Sequence, residues 1–358
     1  MASPQPVLAI TCGDPCGVGP EVLLKALAQA RPPRRLRLAV IGDRIVFEET
    51  ARRLRRRLPP WRVVRAPQRP RPGDSLTLID CRRSDRFAPG RSSREAGAAS
   101  LAYLEEALAL WRAGSLGALV TGPVTKWAIR RVRPSFVGQT EYLARAMRIR
   151  DVVMLFVSDS LRVALLTRHI PLRRVAAAVD RGLVQRAARL TAEALSAAFR
   201  IPRPRLALCG INPHAGEGAP ASEERRVLLP ALRALRREGI RCEGPFAADG
   251  LFASLSAARP PFDAVISPYH DQGLIPFKMV ARDRGCQMSV GLPIVRTAPD
   301  HGSALDIAGR GVADPGSMRY ALELAMRLSM SRDHVPVSPP LSDGERGTRS
   351  PHLYADGA

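Results

Sequence analysis

The sequence predicts an α/β protein large enough for two domains, on three observations. Short apolar runs alternate with longer amphipathic ones, the order expected when strands and crossover helices follow one another. The chain has 358 residues, enough to bury a substantial core and to form two domains. Apolar residues make up 46%, a globular composition and not a disordered one.

Taken in order, strands are read at 7–11 (VLAIT), 36–42 (LRLAVIG), 117–122 (GALVTG), 152–158 (VVMLFVS), 162–167 (RVALLT), 205–210 (RLALCG) and 263–268 (DAVISP). Between the second and third of these, SSREAGAASLAYLEEALALWRAG reads as a helix that opens on a capping box of Ser92 and Glu95 and stops at Gly114. Residues 180–199 and 223–238 show the same helical periodicity. From Arg332 the periodicity is lost, so 332–358 is read as a disordered tail in which His334 and His352 carry no chemistry.

The formal net charge is +22, which raises nucleic acid as a partner. The basic residues are overwhelmingly arginine and are spread along the chain, as in RPPRRLR, ARRLRRRLPPWRVVR and ALRALRR, many at the spacing of solvated helix faces. No basic motif is interleaved with aromatics, so the charge is read as a compositional bias and not as a nucleic-acid footprint. The six cysteines (Cys12, Cys16, Cys81, Cys209, Cys242 and Cys286) form no CxxC and are read as free thiols in a reducing compartment, which argues against structural zinc. No apolar run reaches the length of a bilayer, and MASPQPVLAIT lacks the features of a signal peptide. A cytoplasmic protein with no membrane partner is expected.

Four groups of residues could carry chemistry. The first is TCGDPCGVGPEV (11–22), which leaves a strand, turns on Gly13, Gly17 and Gly19, and enters a helix through Pro20 and Glu21. Its glycines would let backbone amides approach an anion at a helix N-terminus, although the spacing is neither a Walker A loop nor a GxGxxG fingerprint; the alternative is a tight structural turn. The second is His169, His214 and His270, each just after an apolar strand, where open α/β sheets place their ligands. Three imidazoles in equivalent positions suit zinc or another first-row divalent ion. The third is the glycine-rich block 291–318, whose Asp300, His301, Gly302 and Ser303 lead into ALDIAGRG and could accept the adenosine end of a nucleotide. The fourth is a set of anion-binding candidates: Lys126, the GQTE of 138–141, Lys278 and Arg296. Lys25, one helical turn past Glu21, is read as solvated. No GxSxG, CxxC or HExxH occurs.

TCGDPCGVGPEV, VTGPVTKWAI, GQTEYLA, LTRHIPL, GINPHAGEG…EE, AADGLF, YHDQGLIPFK and GLPIVRTAPDHGSALDIA, in that order, resemble the 4-hydroxythreonine-4-phosphate dehydrogenase (PdxA) family over residues 7–330. The resemblance implies an α/β subunit with the two-domain fold of isocitrate and isopropylmalate dehydrogenases and an active-site cleft between the domains. It implies a first domain of 1–125 and 291–331, a second of 126–290 with the metal and dimer contacts, and a homodimer with shared active sites. His169, His214 and His270 match the family's ligands for a divalent metal (zinc, magnesium, cobalt or manganese). Asp249 and Lys278 match catalytic positions, Gln139, Thr140, Lys278, Gln287 and Arg296 match substrate positions, and Asp300, His301, Gly302, Ser303 and Ala304 match the loop that contacts NAD or NADP. Asp271 is read as supporting His270 from behind the metal. The implied reaction is oxidation of 4-phosphooxy-L-threonine and loss of CO₂, giving 3-amino-2-oxopropyl phosphate for vitamin B6 biosynthesis.

Two departures fall on substrate positions: Gln139 replaces the family's usual histidine and Gln287 its usual asparagine. Glutamine donates and accepts but carries no charge. The same-class alternative is therefore a paralogue that oxidises another phosphorylated hydroxy acid, such as 4-phosphothreonate or 4-phosphoerythronate. The alternative of another class is a non-catalytic, basic RNA- or partner-binding protein that keeps the fold, against which the retained histidines, Asp249, Lys278 and Arg296 count.

Overall fold

The computed structural model describes residues 7–33, 35–83, 86–255 and 261–330; the tail read at 332–358 lies outside them. Twelve strands run through these residues: β1 (Val7–Thr11), β2 (Arg37–Gly42), β3 (Arg62–Arg65), β4 (Leu76–Asp80), β5 (Leu116–Thr121), β6 (Val153–Ser158), β7 (Arg162–Leu165), β8 (Leu206–Cys209), β9 (Cys242–Phe246), β10 (Ala264–Ser267), β11 (Gly285–Val290) and β12 (Val295–Pro299). The chain divides into two compact units. One holds the described residues of 7–142, 283–287 and 294–330, the other those of 143–282 and 288–293. The sequence reading sets its boundaries at 125/126 and 290/291 instead.

In the first unit the strand order is β3-β4-β2-β1-β5-β12, with the first half of β11 (285–287) next to β12. The pairs β3/β4, β4/β2, β2/β1, β1/β5 and β5/β12 are all parallel. Parallel neighbours need crossover helices, and these are supplied by Gly19–Gln29 between β1 and β2 and by Arg94–Arg112 between β4 and β5. Every residue of β1 and β2 is buried, as a strand covered on both faces must be, which is why both read as nearly continuous apolar runs, broken only by Thr11 and Arg37 at their ends. In the second unit β6 pairs antiparallel with β7, and β7, β10, β8 and β9 follow in parallel. Its core gathers Val163, Leu165, Ala207, Cys209, Val265, Leu274 and Phe277, with Phe156 edge-on to Phe277 at 5.7 Å.

The α/β class is the one read from the sequence, and all seven strands expected there form. Two local expectations are corrected. The helix cap is Ser93, whose side chain accepts from the Ala96 amide at 3.2 Å, while Ser92 Oγ turns away to Asp14 Oδ2 at 2.6 Å. The segment after β10, His270–Ala281, is a helix that tolerates Pro276 in its interior, an element the apolar periodicity does not announce. Lys25 is not solvated. Its Nζ reaches Glu21 Oε1 at 2.7 Å and the carbonyls of Gly311 and Ala313 at 2.9 and 2.7 Å.

Candidate active site

Arg296, at the second position of β12, is 3% exposed. Its Nη1 donates to Gln287 Oε1 at 2.5 Å and Thr140 Oγ1 at 3.2 Å, and its Nη2 donates to Thr121 Oγ1 at 2.5 Å and Gln139 Oε1 at 3.4 Å. Gln139 is itself tied down, because its Nε2 donates to the Gly122 carbonyl at 2.9 Å. Four expected substrate residues of this unit, Gln139, Thr140, Gln287 and Arg296, thus form one cluster, with Thr121 as a fifth member. Both glutamines aim their amide oxygens at the guanidinium, so they orient Arg296 before they touch any ligand. All four acceptors are uncharged, and the 3.4 Å contact to Gln139 is the weakest of the set. A Cβ on Gly138 would lie 3.7 Å from Lys126 Cε, so Lys126 stands beside the GQTE turn.

The glycine turn at 11–22 turns out to be a fastener. Asp14, buried at 0% exposure, accepts from the Cys16 amide through Oδ1 at 2.9 Å. The amides of Asp14, Gly17 and Val18 donate to the carbonyls of Pro123, Asp14 and Ser303. These four donors are consumed within the protein, which supports the structural-turn alternative for Asp14 to Val18. Gly17 is required by close approach, since a Cβ there would meet the Ser303 carbonyl oxygen at 2.8 Å.

That contact places the expected cofactor loop. Ser303 Oγ lies 2.8 Å from Thr125 Oγ1, and Ser317 Oγ accepts from the Asp300 amide at 2.9 Å and lies 2.8 Å from Asp300 Oδ1. Asp300 and Ser303 are therefore the loop's two anchors. Between them His301 Nδ1 faces the Gly302 carbonyl at 2.9 Å, while His301 Nε2 is buried without a hydrogen-bond partner. A buried polar atom left so gains when a ligand group reaches it, which fits a nucleotide held here. Ala304 adopts φ +38°, a strained turn that closes the loop.

The second unit carries the histidines. His169 follows β7, and its ring centroid is 5.5 Å from that of His270. His270 opens the helix His270–Ala281, with Nδ1 2.7 Å from Asp271 Oδ1. His214 stands in a turn after β8, with Nδ1 2.7 Å from Glu217 Oε1. In both cases a carboxylate on Nδ1 leaves Nε2 for a metal, the usual arrangement behind a ligating histidine, so the donor set fits the implied divalent ion. Of the three, the structure brings His169 and His270 together; among the described residues no group of three His, Cys, Asp or Glu side chains is placed to hold a metal. Lys278, two turns along the helix from His270, is exposed, as is Asp249 in the first turn of Ala248–Ser254.

Sequence reasoning missed Thr121, Thr125, Ser317 and Glu224. Thr121 and Thr125 flank Gly122-Pro123, a strand end whose glycine and proline signal only a turn. Glu224 is 2% exposed and accepts from the Ile211 and Asn212 amides at 2.8 and 2.9 Å. Burial pushes its carboxyl up, but the hydrogen bonds from the Asn212 backbone and side chain and from Ile211 outweigh burial and hold it below the usual range. Its one sequence signal was the Glu-Glu pair after GEG.

Known proteins give this arrangement its context. Residues 34–325 match the family model described as pyridoxal phosphate biosynthetic protein PdxA. A 4-hydroxythreonine-4-phosphate dehydrogenase from Methylorubrum extorquens is 41% identical over 350 residues, 92% of this chain and 96% of that protein. One from Desulforapulum autotrophicum is 38% identical over 332 residues, 91% and 96% of the two chains. Among solved structures, the 4-hydroxythreonine-4-phosphate dehydrogenase of Klebsiella pneumoniae superposes with a TM-score of 0.77 at 30% identity, covering 92% of this chain and 99% of its own. A terephthalate 1,2-cis-dihydrodiol dehydrogenase from Burkholderia xenovorans LB400 gives 0.60 at 32% identity, covering 90% and 97%. With the α/β fold of those structures and a family match over most of its length, the chain belongs to the PdxA family.

Proposed function

We propose that the protein is a 4-hydroxythreonine-4-phosphate dehydrogenase of vitamin B6 biosynthesis, an NAD- or NADP-linked, divalent-metal-dependent oxidoreductase. The observation that carries this reading is the family match over 34–325. The substrate is 4-phosphooxy-L-threonine: hydride leaves C3, the hydroxyl proton passes to a base, and the carboxyl departs as CO₂ while C2, the carbon it leaves, takes up a proton. When bound, the metal would stabilise negative charge developing on the substrate oxygen, and the nicotinamide would accept the hydride.

The chain's own groups do the rest. Arg296, with its plane set by Thr121, Thr140, Gln139 and Gln287, would pair with an anionic group of the substrate, which displaces the long contact to Gln139. Lys278 would serve a second anionic group as a point charge, and Asp249 with Lys278 would flank the reacting carbon. His169, His214 and His270 would hold the metal, and His301 and Gly302 would meet the cofactor between the anchors Asp300 and Ser303, with Ala304 closing the loop. The protein would act as a homodimer with shared sites. Ile275, Met279 and Val280 on the helix of His270 and Lys278 are 61%, 74% and 52% exposed, an apolar face suited to a second copy. Six free cysteines are in keeping with a reducing, cytoplasmic location.

A second reading is favoured by one observation, the two glutamines turned onto Arg296: in it the substrate differs in the group that these positions meet, as in 4-phosphothreonate or 4-phosphoerythronate. Purified protein with Mn²⁺ or Zn²⁺, NAD⁺ or NADP⁺ and a panel of phosphorylated hydroxy acids separates the readings by the absorbance of reduced cofactor. Turnover of 4-phosphooxy-L-threonine is expected. Turnover only of another acid moves the protein to the second reading, and no turnover with any acid, metal or cofactor overturns both.

A further inference from the structure

We infer that Glu224 is the positioning residue of the His214 turn, holding it in the conformation that presents the imidazole. The inference rests on the reading of His214 as a metal ligand. It starts from a backbone anomaly. His214, Ala215, Gly216 and Glu217 have φ of +50°, +53°, +76° and +46°, four consecutive residues in the left-handed region, three of which carry a Cβ. A residue with a Cβ is disfavoured there by the close approach of Cβ to the backbone, and a run of such residues persists only where its surroundings over-determine it.

Glu224 supplies that constraint. It is the first residue of a π-helical turn, Glu224–Leu228, that precedes the helix Leu229–Arg237. A π turn inserts an extra residue and re-aims the side chains on either side, and such turns recur at functional sites. Here the 2%-exposed carboxylate lies under the segment that leads into the turn. Oε1 accepts from the Ile211 amide at 2.8 Å and the Asn212 amide at 2.9 Å, and Oε2 accepts from Asn212 Nδ2 at 3.0 Å. The same Nδ2 lies 2.8 Å from Glu223 Oε2, so the Glu-Glu pair grips one asparagine. Hydrogen bonds to a buried carboxylate are the strong kind, and these three fix Ile211 and Asn212, three and two places before His214. The far side of the turn closes on the same group, since a Cβ on Gly216 would lie 2.5 Å from Glu224 Oε2. His214 is thus gripped from both flanks by a side chain that it does not touch through its ring.

The test uses the full chain with Mn²⁺ as the probe. Metal affinity is measured by titration calorimetry, and exchange of the 211–218 amides by hydrogen–deuterium exchange, for wild type, His214→Ala, Glu224→Gln and Glu224→Asp. Glu224→Gln should weaken Mn²⁺ binding by roughly 10- to 100-fold, the effect usual for a group behind a ligand, and should speed exchange at Ile211 and Asn212. Glu224→Asp keeps the charge but withdraws the acceptor by one methylene; it should shift both readouts the same way by less, and it serves if the glutamine variant does not fold. Unchanged Mn²⁺ affinity in both Glu224 variants, with His214→Ala losing the metal, overturns the inference alone. Unchanged affinity in His214→Ala overturns the ligand reading and the inference with it.

Discussion

Arg296 is held by four side chains, so an exchange at any of them acts first on the guanidinium and only then on a ligand. Thr121→Val keeps the shape and removes the acceptor 2.5 Å from Nη2. A buried charged donor that loses its partner costs about 1.5–3 kcal/mol, so the variant should melt several degrees lower and Thr121→Ser should restore the wild-type value. Equal melting temperatures for Thr121→Val and wild type would remove Thr121 from the cluster. Arg296→Lys replaces a rigid fork by a point charge, and kcat/KM for the phosphorylated substrate should fall by roughly 10- to 150-fold, the kinetic equivalent of that same energy. The charge at 296 and the polar residues at 139, 140 and 287 were legible one by one from the sequence. That Gln139 and Gln287 both turn their oxygens to one guanidinium was not, because three separate segments meet there.

The helix Gly19–Gln29 shows how an element acquires a task that its own pattern conceals. Glu21 and Lys25 look like an ordinary exposed pair four residues apart. In the fold Glu21 accepts from the Gly311 and Ala313 amides at 3.2 and 2.9 Å while Lys25 binds their carbonyls, so the pair clamps the segment beyond the cofactor loop. Glu21→Ala should cost about 3–5 kcal/mol, because Lys25 loses its counter-charge and two amides lose their acceptor together. Urea denaturation at pH 7 checks this, and a loss under 1 kcal/mol would show that the clamp is dispensable. The strands tell a similar story. Those read from the sequence have an apolar centre with polar residues only towards their ends, whereas β3 is Arg-Val-Val-Arg, β9 contains Gly244 and Pro245, and β11 and β12 carry Gln287 and Arg296. Polar and turn-forming residues hide a strand from any reading based on apolar runs, and in β11 and β12 those same residues belong to the Arg296 cluster.

For the molecule as a whole, burial governs the thiols. It pushes Cys209 and Cys242 up to about 12 and also raises Cys12, with Asp43 and Asp14 adding to the effect at Cys12. Raised thiols stay protonated at neutral pH and are poor nucleophiles. Iodoacetamide at pH 7.5 should therefore label the native protein slowly and all six cysteines rapidly in guanidinium; one thiol that reacts within seconds in the native state would contradict this. The proposed dimer is tested by Ile275→Glu with Met279→Glu on the exposed apolar face. Light scattering should report monomers that keep the wild-type circular dichroism and have lost turnover. An intact dimer would place the interface elsewhere.

The α/β class, seven strands and the identity of the candidate chemical residues are readable from the sequence alone, because each depends on local periodicity or on a short motif whose residues are neighbours in the chain. The division of labour among those residues belongs to the tertiary structure. Only the packed fold decides that Asp300 and Ser303 anchor their loop, that the glycine turn spends amides on Pro123 and Ser303, and that Glu224 grips the turn of His214. Each of these depends on a hydrogen bond between separate segments, and such a bond leaves no periodic trace in either one.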